Sequence, residues 1–245
     1  MAGEKRRNIE SVHIPTKQEI INTLYDPVHQ DKPIEHKAFV AILYLTGARI
    51  REIIPYKAAE WRKRIKNTKM PDGSIKKEKI HYWFERNWKG LTNRQIIEKE
   101  ELGNDKTMKT ICLFENVPTE KRRGELYWDK QNQRWIEKSR TVWRKIPVSQ
   151  EKDGALLDLI ADYSKTIQNQ DAPLFPWYKT KGRRIITSFD PEWFPHLMRH
   201  ARLTHLAVEE DFKDMELKQL TAWVDTRPSE KYVHLQWKDI VRKHF

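Results

Sequence analysis

"HLMRHARLTHLA", residues 196–207, is the stretch from which the rest of the chain is read. Leu197, Leu203 and Leu206 recur at helical spacing and predict an amphipathic helix with its apolar side turned inward. The same twelve residues hold three histidines and two arginines. His196 and Arg199 stand at i, i+3 and therefore share a face. A guanidinium fork binds two non-bridging phosphate oxygens at once. An imidazole beside it can exchange a proton with a phosphate ester near neutral pH. The pair reads as half of a phosphoryl-transfer site, against the plainer reading of a basic helix with one solvated side.

Composition bounds the partner. Of 245 residues, 33% are charged and 38% apolar, so the chain can bury a core while exposing a heavily ionised surface. A net charge of +12 points to a polyanion, nucleic acid before membrane, since no lipidation motif or basic amphipathic tail accompanies it. The single cysteine, Cys112, excludes an intramolecular disulfide and a cysteine-based zinc cluster. No secretory leader and no run long enough to span a bilayer is present, so the expectation is a cytoplasmic protein of a prokaryotic cell or virus-infected host, not secreted.

Residues 1–15 read as a basic, poorly structured arm. "TKQE" at 16–19 is a capping-box pattern opening a helix through Leu24, and "EHKAFVAILYLTGAR" gives a buried helix interrupted near Gly47. "IREII" begins a further helical stretch. From Pro55 to Glu137 charge dominates, and short apolar runs such as "KIHYWFE" and "TICLFENV" predict an antiparallel sheet joined by long basic loops. "RKIPVS" is a strand and "GALLDLIADYSKTI" a helix. "QDAPLFPWYKTKGRRIITSFDPEWF" reads as a Pro-rich loop with a basic tip. Helices follow at 195–208 and about 214–224, then a turn at "DTRPS" and a short helix carrying Tyr232.

Three boxes now line up. "HLMRHARLTHLA" resembles the H-x-x-R-H…T-x-L-A box of the tyrosine recombinases (phage-type integrases), and "TGARIREI" at 46–53 resembles their T-G-x-R-x-x-E-L box. In "LKQLTAWVDTRPSEKYVHL", Trp223 stands nine residues before Tyr232, where the family usually has histidine, with Ala222 in place of the preceding glycine. Together the boxes cover residues 16–55 and 138–245. "KSRTVWRKIPVS" at 138–149 fits the family's hairpin lysine loosely and nominates Lys138, with Lys121 and Lys145 as rivals.

The resemblance implies a mainly helical catalytic domain with a small antiparallel sheet, 1–245, elaborated by a basic, strand-rich insertion at 56–137. The family's N-terminal core-binding domain is expected to be absent, the chain being either a trimmed fragment or a minimal enzyme whose insertion takes over part of the clamp. It implies a site-specific recombinase or integrase acting on double-stranded DNA. Such an enzyme is expected as a monomer without DNA and a tetramer on paired sites, with "VHLQWKDIVRKHF" docking between protomers. Arg49 and Arg199 would clamp the non-bridging oxygens, and Lys138 would protonate the leaving 5′-oxygen. His196 would assist proton transfer, Trp223 would donate its indole N–H, and Tyr232 would attack to form a 3′-phosphotyrosine. The covalent link conserves bond energy, so rejoining needs no ATP, and the arginines make a metal unnecessary; no cofactor is expected. Glu52 is expected to orient Arg49 through an ion pair, and His200 to be a buried hydrogen-bonding residue. Arg202 and His205 are expected on a solvated or DNA-facing surface. Three rivals stay open: a type IB topoisomerase-like enzyme, a non-catalytic DNA-binding module on a decayed fold, and a metal-dependent hydrolase using His196 and His200. The last lacks the glutamate of H-E-x-x-H, since Leu197 follows His196.

Overall fold

The computed structural model describes residues 13–103, 105–119, 125–138, 142–210 and 212–222, except the side chains of Lys138 and Asp214. The helices are α1 (Lys17–Tyr25), α2 (Ile34–Thr46), α3 (Ile50–Ile53), α4 (Gln150–Lys165), α5 (Lys179–Phe189), α6 (Pro195–Val208) and α7 (Asp214–Thr221). Among the described residues between α3 and α4 run seven strands: β1 (Tyr56–Lys69), β2 (Ile75–Trp88), β3 (Ile96–Leu102), β4 (Met108–Pro118), β5 (Glu125–Asp129), β6 (Arg134–Lys138) and β7 (Trp143–Ser149).

The expected mainly helical class is wrong. Over the described residues the fold is mixed α/β, 40% helix and 32% strand, with two sheets in place of one small one. One is β3-β4-β7, antiparallel; the other is β1-β2-β6-β5, in which β2 and β6 run parallel. The basic stretches taken for loops are themselves strand. "RKRIK" lies within β1, which pairs with β2 from Tyr56↔Trp88 to Lys69↔Ile75 without a slip. Charge hid these strands, because a ribbon exposed on both faces shows no apolar alternation.

Two helical readings need adjusting as well. The supposed Pro-rich loop contains α5, whose Ile185, Ile186 and Phe189 are buried. Gly182 lets α5 approach α2 and α3: an added Cβ would stand 2.9 Å from Ile50 Cδ1 and 3.0 Å from Phe39 Cζ. α7 ends at Thr221 with Ala222 in the left-handed region (φ 49°), and the expected residues 223–224 lie outside the described ones.

Other expectations hold. Thr16 caps α1 and Glu19 completes the box, its Oε2 accepting from Thr16 N at 2.7 Å. In α2, nine successive residues from Ala38 to Thr46 are buried, which makes it the central helix, packed by α4 and α6. Leu156, Leu159, Ile160 and Tyr163 of α4 face it as their spacing predicts. The three-stranded sheet closes the same core through Ile111, Phe114, Val117, Ile146 and Val148. The 56–88 ribbon leaves this body: residues 65–79 are exposed without interruption. Among the described residues no helix is long and apolar enough to cross a membrane.

Candidate phosphate-binding site

The site begins where α2 stops. Gly47 takes φ +53°, a conformation that favours glycine, and its N–H returns to Tyr44 O at 3.0 Å. Thr46 Oγ1 donates to Ile42 O at 2.6 Å and accepts from Ala48 N at 3.2 Å, which fixes the turn. The chain therefore re-enters a helix at once, with Arg49 at the N-cap of α3.

Glu52, fully buried, is the hub. Its Oε2 accepts from Arg49 N at 2.9 Å and from Arg144 Nη2 at 2.5 Å, and its Oε1 accepts from Arg49 Nη1 at 3.1 Å. The expected Arg49–Glu52 ion pair is thus present. Arg144 was not anticipated. It comes from β7, is 4% exposed, and its Nη1 also donates to Leu220 O of α7 at 2.9 Å. Its signal lay in strand alternation: Arg144 and Ile146 point inward while Trp143 and Lys145 point out, and an inward arginine needs a buried oxygen partner.

Arg199 reaches the same place from α6. It is 3% exposed, and its Nη1 donates to the carbonyl of Gly47. Its Nη2 is buried with no hydrogen-bond partner among the described residues. Burial pulls its pKa down to about 10, and the charges of Arg49 and Arg144 push the same way against the opposing pull of Glu52. Arg144 is also shifted down, by burial first, with Arg49 adding to it and Glu52 resisting. Three guanidiniums around one carboxylate leave an excess of positive charge aimed at one spot. A charge balance of this kind suits an anion.

His196 stays exposed at the first turn of α6, one helical turn before Arg199. Its ring meets that of His200 edge-on at 5.0 Å. His200 is only half-buried, and burial together with Arg199 lowers its pKa. Among the described residues no group of three His, Cys, Asp or Glu side chains gathers here or elsewhere in a way that could hold a metal ion.

Two expectations on α6 fail. Arg202 and His205 do not face solvent; they are 1% and 4% exposed. Arg202 Nη2 bonds Asp153 Oδ2 at 3.2 Å, Glu210 lies 3.6 Å from its Nη1, and Lys17 reaches Asp153 at 3.0 Å. Tyr44 Oη, its pKa driven up by burial, shares a hydrogen bond of 2.8 Å with His205 Nδ1. Both residues occupy the stripe 198, 201, 202, 205, 206, which is helical core spacing whatever the residue type.

The lysine candidates separate. Lys138 ends β6 opposite Glu125, within the connection between β4 and β7. Lys145 Nζ is paired with Glu115 at 2.8 Å on the outer side of β7. Lys121, Trp223, Tyr232 and the C-terminal segment 233–245 lie outside the described residues. Compared with known protein families, curated proteins and solved structures, the chain matches none.

Proposed function

We propose that this chain is a tyrosine recombinase, a DNA strand-breaking and rejoining enzyme working through a 3′-phosphotyrosine. One observation carries the reading: Arg49 and Arg199, far apart in sequence, meet around Glu52 with Arg144, while His196 stands one turn away on the exposed side of α6. Attack on a phosphodiester adds negative charge to the non-bridging oxygens, and preset guanidiniums stabilise that charge more than the ground state. Arg199 Nη2 and the outer edge of Arg49 are the donors for those oxygens. Glu52 and Arg144 hold Arg49 in place. In this reading His196 passes a proton, Lys138 protonates the departing 5′-oxygen, Trp223 donates its N–H, and Tyr232 attacks. Double-stranded DNA is the partner, bound by a monomer that assembles into a tetramer on paired sites.

A nicked suicide duplex in EDTA, run on a denaturing gel, tests this with wild type beside Tyr232→Phe. A shifted, protease-sensitive band for wild type alone is the expected result. A protein that binds the duplex but leaves no adduct would instead be a non-catalytic DNA-binding module, and the recombinase reading would fall.

A further inference from the structure

The β1–β2 ribbon has no role in the site, yet its outer half, residues 65–79, is exposed throughout. Residues 56–88 hold ten Lys and Arg against four Asp and Glu, an excess of six within a chain whose total is +12. Its acids are partly occupied locally: Glu60 pairs with Arg62 at 2.5 Å, and Asp72 Oδ1 accepts from Ser74 in the connecting turn. Between 65 and 79 the cations are Lys66, Lys69, Lys76, Lys77 and Lys79, with no arginine.

Such a ribbon is unfavourable by itself. Two strands buried on neither face are marginal in water, and like charges at this density repel. Only its base is supported. There Ile80, Tyr82 and Phe84 are buried, Arg62 lies over the Phe84 ring at 3.5 Å, and β6 adds to β2 at Tyr82↔Trp135 and Trp83↔Ile136. The root is also fixed close to the phosphate-binding site: β1 starts three residues after α3, and Leu91 N returns to Ile53 O at 2.7 Å. Fourteen residues of strand extend about 45 Å, more than the roughly 34 Å of one DNA turn.

We infer that this ribbon is a second DNA-binding arm, which lies along the phosphate backbone of the duplex flanking the cleaved phosphate. The lysines of its outer half suit backbone contact: they are point charges that position a duplex without reading its sequence. The inference rests on the recombinase reading for the identity of the anion held at Arg49 and Arg199, but its test does not depend on cleavage.

The full chain carrying Tyr232→Phe is titrated with duplexes of increasing length at several salt concentrations. Two arm variants are compared with it. One is Lys69→Gln/Lys76→Gln/Lys77→Gln, all at exposed positions. The other removes 66–69 and 75–78, which preserves the 70–74 turn and the Ile65↔Lys79 pair. We expect both to lower the slope of log K against log salt by about 2–3, and to weaken binding to long duplexes about tenfold or more. Binding to a short duplex that covers only the cleavage point should be unchanged. An unchanged slope for both variants overturns the arm while leaving the recombinase reading intact. A loss seen only on single strands also overturns it and assigns the ribbon to unpaired nucleic acid. A parent protein that binds no duplex at any salt takes down arm and recombinase together.

Discussion

Arg199 and Arg202 sit three residues apart on one helix, equally buried, yet their surroundings push them in opposite directions. Arg202 faces Asp153 and Glu210, and these partners hold its pKa above the ordinary value despite complete burial. Arg199 faces two other guanidiniums and shares a single carboxylate with them, so its pKa falls to about 10. The first arrangement is compensated in charge, with two carboxylates beside one guanidinium, although Arg202 Nε and Nη1 make no hydrogen bond among the described residues. The second is electrostatically incomplete, and incompleteness of this kind is what separates a binding site from a structural ion pair.

Breaking the compensated side should have the largest effect on folding. Arg202→Ala leaves Asp153 buried without its main partner and is expected to cost about 3–5 kcal/mol of stability, measured by chemical denaturation. A loss below about 1 kcal/mol would mean that Lys17 alone satisfies Asp153.

On the incomplete side the larger effect is chemical. Arg199→Lys should cut adduct formation about 10²–10³-fold with little change in Tm, since lysine keeps the charge and loses the two-pronged fork. Sulfate sharpens the contrast. It should raise the Tm of wild type and of a folded Arg202→Met variant, but not of Arg199→Gln, because only the Arg199 side lacks an anion. Equal sulfate protection in all three would place the anion elsewhere.

The smallest expected effect is on pH. His36, His200 and His205 all have pKa values lowered from 6.5, in each case by burial first. The unfolded chain therefore takes up protons before the folded one does. Stability should be level above about pH 6.5 and decline as pH falls through the window down to the folded values. His205→Gln should flatten part of that decline in a denaturation series; an identical slope would remove His205 from the account.

What could be read in the sequence divides along physical lines. Caps, the turn at Gly47 and the buried faces of α2 and α4 were legible because each is local chemistry or a clean period. The site was legible as far as Arg49, Glu52, His196 and Arg199. Arg144 was not, because a partner 92 positions away cannot be inferred from a basic strand. Arg202 and His205 were misplaced because residue type was weighed above helical position. The fold class failed for a related reason: β1 and the outer half of β2 are strands without an apolar face, so their charge concealed their extent.

The base of the ribbon is pinched. Gly90, at φ +94°, lies so close to Pro55 that an added Cβ would stand 2.9 Å from its Cδ and 3.2 Å from the carbonyl oxygen of Ile53. Position 90 is therefore closed to any side chain: a methyl group there would have to push the root of the ribbon off the segment that follows α3, so the spacing between ribbon and Arg49 is set by an absent atom.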